Sequence, residues 1–263
     1  MEVLSSMNGL LLAFLGSLVA GFATGLGAVP IYFVKSISQK LQDQMMGFGA
    51  GVMLAASCFS LLNPAIEIGE TLYASKLVSI IVIALGVACG AIALRVCDLF
   101  FPHEHFIKGS EGSDQFQVKR IWLFIIAITL HNFPEGLAVG VSVGGQNINE
   151  AVALIIGISL QNMPEGLVVA LSLITLKYSR AYSLWIALLT GLVEPIGSVL
   201  GYAMINLSEP LLPFGLAFAA GAMIFVISHE IIPESHRHGH EYKATMGLML
   251  GFIVMMVLDV YLG

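Results

Sequence analysis

Long apolar stretches separated by short polar segments run through the whole chain. A helix that spans a bilayer needs about 20 mostly apolar residues. Eight stretches meet this requirement, at approximately 8–33, 41–65, 74–98, 119–144, 150–176, 181–206, 211–233 and 244–262. The pattern predicts an all-α membrane protein with eight transmembrane helices in a single domain over residues 1–263. The connection at about 99–118 is long and polar, and we expect it to be a solvated loop.

Composition supports a membrane protein and excludes several other classes. Of the 263 residues, 57% are apolar and 11% are charged, and the net charge of −6 gives no basic surface for nucleic acid. A soluble domain is about 45–50% apolar and about 25% charged. The first apolar run is too long for the h-region of a signal peptide, so we expect no cleaved leader. Cys58, Cys89 and Cys97 lack metal-type spacing, which predicts packing roles.

Lysine and arginine are concentrated on one side of the predicted membrane. The loops and helix ends that follow the odd-numbered stretches hold Lys35, Lys40, Arg95, Lys108, Lys119, Arg120, Lys177, Arg180, Arg237 and Lys243. The opposite side holds Lys76. Because cytoplasmic loops carry the excess of basic residues, we expect both termini to be extracytoplasmic, in the cell inner (plasma) membrane. The loops at 99–118 and 234–243 should be cytoplasmic.

Two related hexapeptides interrupt the fourth and fifth apolar stretches. They are His131-Asn132-Phe133-Pro134-Glu135-Gly136 and Gln161-Asn162-Met163-Pro164-Glu165-Gly166. A charged side chain at the centre of a bilayer costs about 2.5–3.5 kcal/mol on insertion scales and indicates a functional site by default. Two neighbouring antiparallel helices would bring the hexapeptides to the same depth. We therefore expect them to face each other near the midplane, as in transporters built from inverted repeats.

The first hexapeptide places several donor atoms on one side of its helix. His131 and Glu135 are four residues apart and share a face, and Asn132 lies beside them. Pro134 removes a backbone donor and displaces the carbonyl of Leu130. We therefore expect a bend that leaves carbonyl oxygen available. The second hexapeptide repeats this arrangement with an amide in place of the imidazole.

A third buried carboxylate belongs to the sixth stretch, where Glu194-Pro195 reads as a mid-helix pair. Together with Glu135 and Glu165, it completes a mixed nitrogen and oxygen donor set. Such a set suits zinc and would also accept iron, manganese or cadmium. Three ionised carboxylates carry a charge of −3, so one bound divalent ion leaves the site with a net charge of −1. This excess negative charge would be neutralised either by protons, some of which the entering metal displaces, or by a second adjacent ion. Equal metal affinity at acid and alkaline pH would contradict proton displacement.

Other candidate ligands have two interpretations each. The thioether of Met53 in the second stretch is a soft ligand or a core side chain. His229 and Glu230 lie near the cytoplasmic end of the seventh stretch. The loop that follows contains His236, His238 and His240, which is typical both of transient metal handling and of an ordinary polar loop.

These motifs resemble the ZIP (Zrt-, Irt-like) family of divalent metal transporters. The two hexapeptides, Glu194-Pro195 and Ser228-His229-Glu230 carry the resemblance, which covers nearly the whole chain. Gln161 stands where many members have His, as in a mainly prokaryotic subgroup of the GufA type. Asn162 stands where some relatives have Asp. These two differences predict a broader ion preference and a weaker second metal position.

The resemblance implies a transporter rather than an enzyme, with the divalent metal as transported substrate and not as a catalytic cofactor. It implies entry of zinc or a related ion into the cytoplasm. One metal position would be formed by Met53, His131, Glu135, Gln161 and Glu165. The other would be formed by Asn132, Glu135, Asn162, Glu165 and Glu194. His229 and Glu230 would line the release path. A homodimer, and an elevator-like motion of helices one, four, five and six against the rest, are also implied.

Three alternatives remain open at the level of sequence. In an intramembrane hydrolase, the bound metal would activate water, but the duplicated donors suit a pathway better than a reaction centre. A carrier of organic substrates would need an aromatic or arginine-lined pocket, whereas arginine occurs here in loops and at helix ends. A metal sensor that transports nothing would need no release path.

Overall fold

The chain folds into helices joined by short connections. The computed structural model describes residues 8–33, 38–100, 114–145, 147–207 and 209–262, and within these ranges it contains no strand. The elements are α1 (Gly9–Ala28), α2 (Gln39–Ala56), π1 (Ser57–Leu62), α3 (Asn63–Leu72), α4 (Lys76–Phe100), α5 (Asp114–Gly144), α6 (Ile148–Thr175), α7 (Arg180–Gly191), α8 (Glu194–Leu207), α9 (Leu212–Val226), π2 (Ile227–Ile231), α10 (Ile232–Ser235) and α11 (Glu241–Leu262). The prediction of an all-α protein is confirmed. Most of the predicted polar loop at 99–118 lies outside the described residues.

Seven helical stretches in the described part of the chain are long and apolar enough to cross a membrane. They are Gly9–Tyr32, Gln39–Leu72, Lys76–Val96, Ile148–Thr175, Arg180–Ile205, Leu212–Ser235 and Glu241–Leu262. Seven of the eight predicted spans therefore correspond to helical stretches that meet this criterion. The stretch predicted at about 119–144 corresponds to the 31-residue helix α5, whose role as an eighth span stays a prediction. On α4, Leu77, Ile80 and Leu85 are exposed, a surface that suits lipid better than water.

Four helix pairs make the most extensive contacts. Helix α2 packs along α11 and α4 packs along α9, while α1 packs on α6 and α5 packs on α8. Glycines allow the closest approaches: a Cβ atom at Gly51 would overlap the carbonyl oxygen of Leu248, and one at Gly251 would overlap that of Phe48. Small residues at helix crossings are typical of membrane bundles. Contacts of α1 with α7 and α8 join the second two pairs into one group.

The two π-helices each precede a proline. Asn63 N–H donates to the carbonyl of Cys58, and Ile232 N–H donates to that of Ile227, which widens the helix by one residue at each place. Pro64 and Pro233 follow directly. Proline cannot donate its nitrogen and its ring crowds the carbonyl four residues earlier. A widened turn relieves that conflict, and such turns are frequent at functional sites.

The placement of Glu194 differs from the prediction. We expected a mid-helix carboxylate, but α7 ends at Gly191 and Glu194 is the first residue of α8. Pro195 explains the interruption, because proline is compatible with the first turn of a helix and not with its interior. By contrast, α5 and α6 continue through Pro134 and Pro164.

Candidate metal centre

Polar side chains from α5, α6 and the start of α8 meet inside the apolar bundle. Asn132, Glu135, Gln161, Asn162 and Glu194 are each 0% exposed. Glu165 is half-buried. The expectation that the two hexapeptides face each other agrees with the hydrogen bonds between them. Fully buried carboxylates are rare unless they are paired or bind a cation.

The side-chain amide of Gln161 links the glutamates of the two hexapeptides. Its Nε2 donates to Glu135 Oε1 at 2.6 Å and to Glu165 Oε1 at 3.1 Å. A carboxylate accepts hydrogen bonds and the NH₂ group donates them, so the amide turns its nitrogen toward both acids. Gln161 therefore holds one oxygen of each carboxylate in place.

The two asparagines connect the centre to neighbouring helices. Asn162 Nδ2 donates to Glu194 Oε1 at 2.6 Å and to the backbone carbonyl of Ala20 at 2.9 Å. Asn132 Nδ2 donates to the backbone carbonyl of Thr190 at 2.9 Å. These contacts fix the amide orientations and attach α1 and α7 to the centre.

The glycine that ends each hexapeptide permits a close helix approach. A Cβ atom at Gly136 would overlap the backbone of Glu194, and one at Gly166 would overlap the carbonyl oxygen of Thr24. Gly136 thus lets the start of α8 reach α5, which brings the Glu194 carboxylate to the centre. Gly166 likewise lets α1 approach α6 closely.

Five buried oxygen atoms of this centre have no hydrogen-bond partner among the described residues. They are Asn132 Oδ1, Glu135 Oε2, Gln161 Oε1, Glu165 Oε2 and Glu194 Oε2. Leaving a buried polar atom unpaired costs about 1–3 kcal/mol, and more when the group is charged. All five atoms can accept, and a cation bound among them is one group that would interact favourably with each of them. The donor set fits a divalent metal with oxygen ligands.

His131 is engaged by a different carboxylate. Its Nε2 lies 3.1 Å from Glu230 Oε2, and both side chains are largely buried. Glu230 belongs to π2, so this contact joins the centre to the seventh apolar stretch. His229, the neighbouring residue, is half-buried, and its ring lies 5.0 Å from that of Phe225.

Met53 lies in the apolar core of the bundle and is 1% exposed. It is one helical turn from Gly49, where a Cβ atom would contact Gln161 Cγ at 3.4 Å. In the part of the chain that the structure describes, no three His, Cys, Asp or Glu side chains form a group that could hold a metal ion. A ligand set at this centre therefore has to include amide oxygen, or side chains that move.

Sequence reasoning missed the backbone contacts. The carbonyls of Ala20 and Thr190 orient the two asparagines, and Thr24 Oγ1 is another buried oxygen without a partner in the described chain. Backbone carbonyls leave no signature in a sequence. Thr24 and Thr190, polar residues within apolar stretches, were available signals.

Comparison with known proteins gives consistent matches. The family described as "ZIP Zinc transporter" matches residues 101–259. Zinc transporter GufA of Myxococcus xanthus is 47% identical over 94% of this chain and 97% of its own length. Zinc transporter ZIPB of Bordetella bronchiseptica is 43% identical over 95% of this chain and 81% of its own. Zinc transporter ZIP11 of Homo sapiens is 34% identical, with 95% and 97% covered.

The predicted resemblance to GufA-like members is thereby confirmed, and the hydrolase alternative is set aside because this family consists of transporters. The matched region includes both hexapeptides, Glu194 and π2. The seven apolar helices of spanning length and the family membership both indicate a multi-pass integral membrane protein. The chain belongs to the ZIP family of zinc transporters.

Proposed function

We propose that this protein carries divalent transition-metal ions, zinc above all, into the cytoplasm through the centre formed by α5, α6 and α8. Cadmium, iron and manganese are further substrates by the same ligand chemistry. The observation that carries the proposal is the group of five buried, unpartnered acceptor oxygens. The metal is cargo, and the protein needs no catalytic cofactor.

The donor atoms support two adjacent metal positions. The first uses Met53, His131, Glu135, Gln161 and Glu165. The second uses Asn132, Glu135, Asn162, Glu165 and Glu194. Glu135 and Glu165 bridge them, since each has one oxygen held by Gln161 and a second oxygen that is unpaired.

Arrival of an ion requires Gln161 to exchange roles. The NH₂ group now donates to one oxygen of each of two carboxyl groups. A cation takes over that task, and rotation of the amide then presents Oε1, which has no partner among the described residues. The excess of three carboxylates over one divalent charge favours protons on the empty centre that the metal displaces.

Helix packing supports an elevator-like movement. Helices α1, α5, α6, α7 and α8, which correspond to predicted helices one, four, five and six, form one group that holds most of the donors. Helices α2, α4, α9 and α11 form the other group, in which π1 and α3 join the two pairs. We propose that the first group slides against it, along contacts such as that of α6 with α2. The pairing of α2 with α11 and of α4 with α9 is what an inverted repeat would produce. Release past His229 and Glu230 follows, since Glu230 contacts His131.

We further propose one eight-helix transporter domain over residues 1–263, with both termini extracytoplasmic and the loops at 99–118 and 234–243 cytoplasmic. The placement rests on the asymmetry of lysine and arginine. A homodimer in the inner membrane, in contact with lipid, completes the proposal.

Uptake into proteoliposomes tests the function. The purified protein is supplied with a panel of divalent ions, with and without a pH gradient, and compared with Glu165→Ala. We expect zinc uptake by the native chain, and uptake by Glu165→Ala no faster than leakage into protein-free liposomes, because a bridging carboxylate is lost.

Glu150→Ala is the matched control, because Glu150 lies in the first turn of the same helix and pairs with Asn147 there. It should retain uptake. Normal uptake by Glu165→Ala at equal protein content would refute the assignment of the centre.

A further inference from the structure

A cluster of one carboxylate and two imidazoles lies away from the centre, where the start of α2 meets the connection between α10 and α11. Asp43 on α2 is fully buried, and two histidines contact its carboxylate. His238 Nδ1 lies 3.2 Å from Oδ1, and His240 Nδ1 lies 2.8 Å from Oδ2. Gln39 Nε2 donates to Oδ1 at 2.9 Å.

The backbone at Gly239 brings both imidazoles to the same carboxylate. Gly239 has a φ of 79°, in the left-handed region that glycine adopts without strain. This conformation lets side chains two residues apart approach one acid. No atom lies within 4 Å of a Cβ built on Gly239, so the position is open to solvent.

The contacts with Asp43 bear on which ring nitrogen carries the proton. A carboxylate only accepts hydrogen bonds, so Nδ1 of His240 donates to it. His238 Nδ1 lies 3.2 Å from Asp43 Oδ1 and 3.2 Å from Gln39 Nε2, so it either donates to the carboxylate or accepts from the amide. A neutral imidazole that donates through Nδ1 has a free lone pair on Nε2. The side chains of His238 and His240 are 35% and 33% exposed, while Asp43 is 0% exposed. The far edges of both rings therefore reach solvent.

A histidine that donates Nδ1–H to a carboxylate makes a contact that is typical of metal-binding histidines. Such residues nearly always donate the other ring N–H to a carboxylate or carbonyl, which fixes the ring and raises the basicity of the ligand nitrogen. Asp43 is a positioning residue here and not a ligand.

His236, in the same loop, is differently engaged. Its Nδ1 contacts Ser235 Oγ and the carbonyl of Ile232, and its Nε2 lies 3.1 Å from Thr245 Oγ1. Both ring nitrogens have partners within the protein. The three histidines of the tract therefore separate into a pair that contacts Asp43 and one that is held by other groups of the loop and by α11.

We propose that His238 and His240 form a surface binding site for a zinc-like divalent cation, with Nε2 of each ring as ligand and Asp43 holding both rings in the required tautomer. Water completes the coordination. The site lies outside the centre in α5, α6 and α8 and does not depend on transport through it.

Residue-resolved carbethoxylation with diethylpyrocarbonate tests the proposal on the intact purified protein. The reagent modifies unprotonated imidazole nitrogen, and mass spectrometry reports each histidine. Zinc should protect His238 and His240 with a common midpoint, while magnesium should not. Modification of His236 should stay the same at the zinc concentrations that protect His238 and His240. Equal modification of His238 and His240 with and without zinc would overturn the proposal.

Asp43→Asn tests whether the two histidines need the carboxylate to orient their rings or bind the metal without it. Asparagine offers one acceptor and one donor, so one of the two rings must turn its unprotonated nitrogen inward. We expect zinc to protect the pair with about 10–100-fold weaker affinity. His236→Ala should leave the midpoint unchanged. A midpoint that Asp43→Asn does not alter would also overturn the proposal.

Discussion

At the scale of single residues, Gln161 determines how the two hexapeptide carboxylates are held. Its amide donates to Glu135 and Glu165 and keeps an unpaired oxygen of its own. An amide can offer either a donor or an acceptor to the same site by rotation, whereas an imidazole offers a borderline nitrogen. The side chain at this position is therefore expected to set ion preference.

Replacing Gln161 with His should shift preference toward zinc. Imidazole nitrogen is a common zinc ligand, while manganese favours oxygen. We expect the ratio of zinc to manganese uptake to rise by about tenfold, which corresponds to about 1.4 kcal/mol. Competition between the two ions in proteoliposomes measures it. If the ratio stays the same, Gln161 is not a ligand.

The role of Met53 can be isolated by Met53→Leu, which keeps the volume of a fully buried side chain and removes the sulfur. Swaps of this kind usually cost less than about 1.5 kcal/mol of stability. Cadmium, a soft ion, should bind about tenfold more weakly to the variant. Equilibrium cadmium binding is the measurement. Unchanged affinity in a normally folded Met53→Leu protein would leave Met53 a packing residue.

The donors could be predicted from the sequence, but their contacts could not. Glu135, Glu165 and Glu194 were identifiable because a carboxylate in an apolar stretch is costly. The interaction of His131 with Glu230 depends on how two distant helices pack. Asp43 was missed for the same reason: its partners, His238 and His240, are far along the chain.

At the scale of helices, proline acts differently from one site to another. The bends expected at Pro134 and Pro164 stay a prediction, whereas the π-helices before Pro64 and Pro233 and the break before Pro195 were not predicted. In the structure, π-helices precede Pro64 and Pro233, and a break precedes Pro195. Helices α5 and α6 continue through their prolines. At each site proline removes one backbone hydrogen bond and crowds the carbonyl four residues earlier. The surrounding packing determines whether the helix widens, breaks or continues there.

The approach of α5 to α8 makes Gly136 a sensitive position. Gly136→Ala would place a methyl group against the backbone of Glu194, which cannot move as a flexible side chain could. Overpacking of this kind costs about 1–3 kcal/mol. We expect a lower thermal unfolding midpoint in detergent and reduced uptake.

Gly49→Ala is the matched control for stability. The nearest atom to its added Cβ, Gln161 Cγ, would lie at 3.4 Å, an ordinary contact. Alanine is favoured over glycine in a helix by about 1 kcal/mol, so the unfolding midpoint should not fall. A Gly136→Ala protein as stable as Gly49→Ala would contradict the packing described here.

At the scale of the whole molecule, hydropathy predicted most of the helices but not their arrangement. Membrane spans must satisfy backbone hydrogen bonds internally, so length and apolarity suffice to find them. The grouping of α1, α5, α6, α7 and α8 depends on glycine contacts between helices distant in sequence. His131 on α5 contacts Glu230 on π2, which follows α9 of the second helix group. Metal binding at His131 would therefore alter a contact between the two groups of helices.

The location of bound zinc shows directly whether the metal lies between Glu135 and Glu165. Crystals of the native protein grown with zinc would be measured on both sides of the zinc absorption edge. We expect anomalous density about 2.0–2.2 Å from carboxylate oxygens of Glu135 and Glu165. We also expect the loss of that density in Glu165→Ala. Zinc that is bound elsewhere in the bundle, with no density between these two glutamates, would contradict the proposed centre.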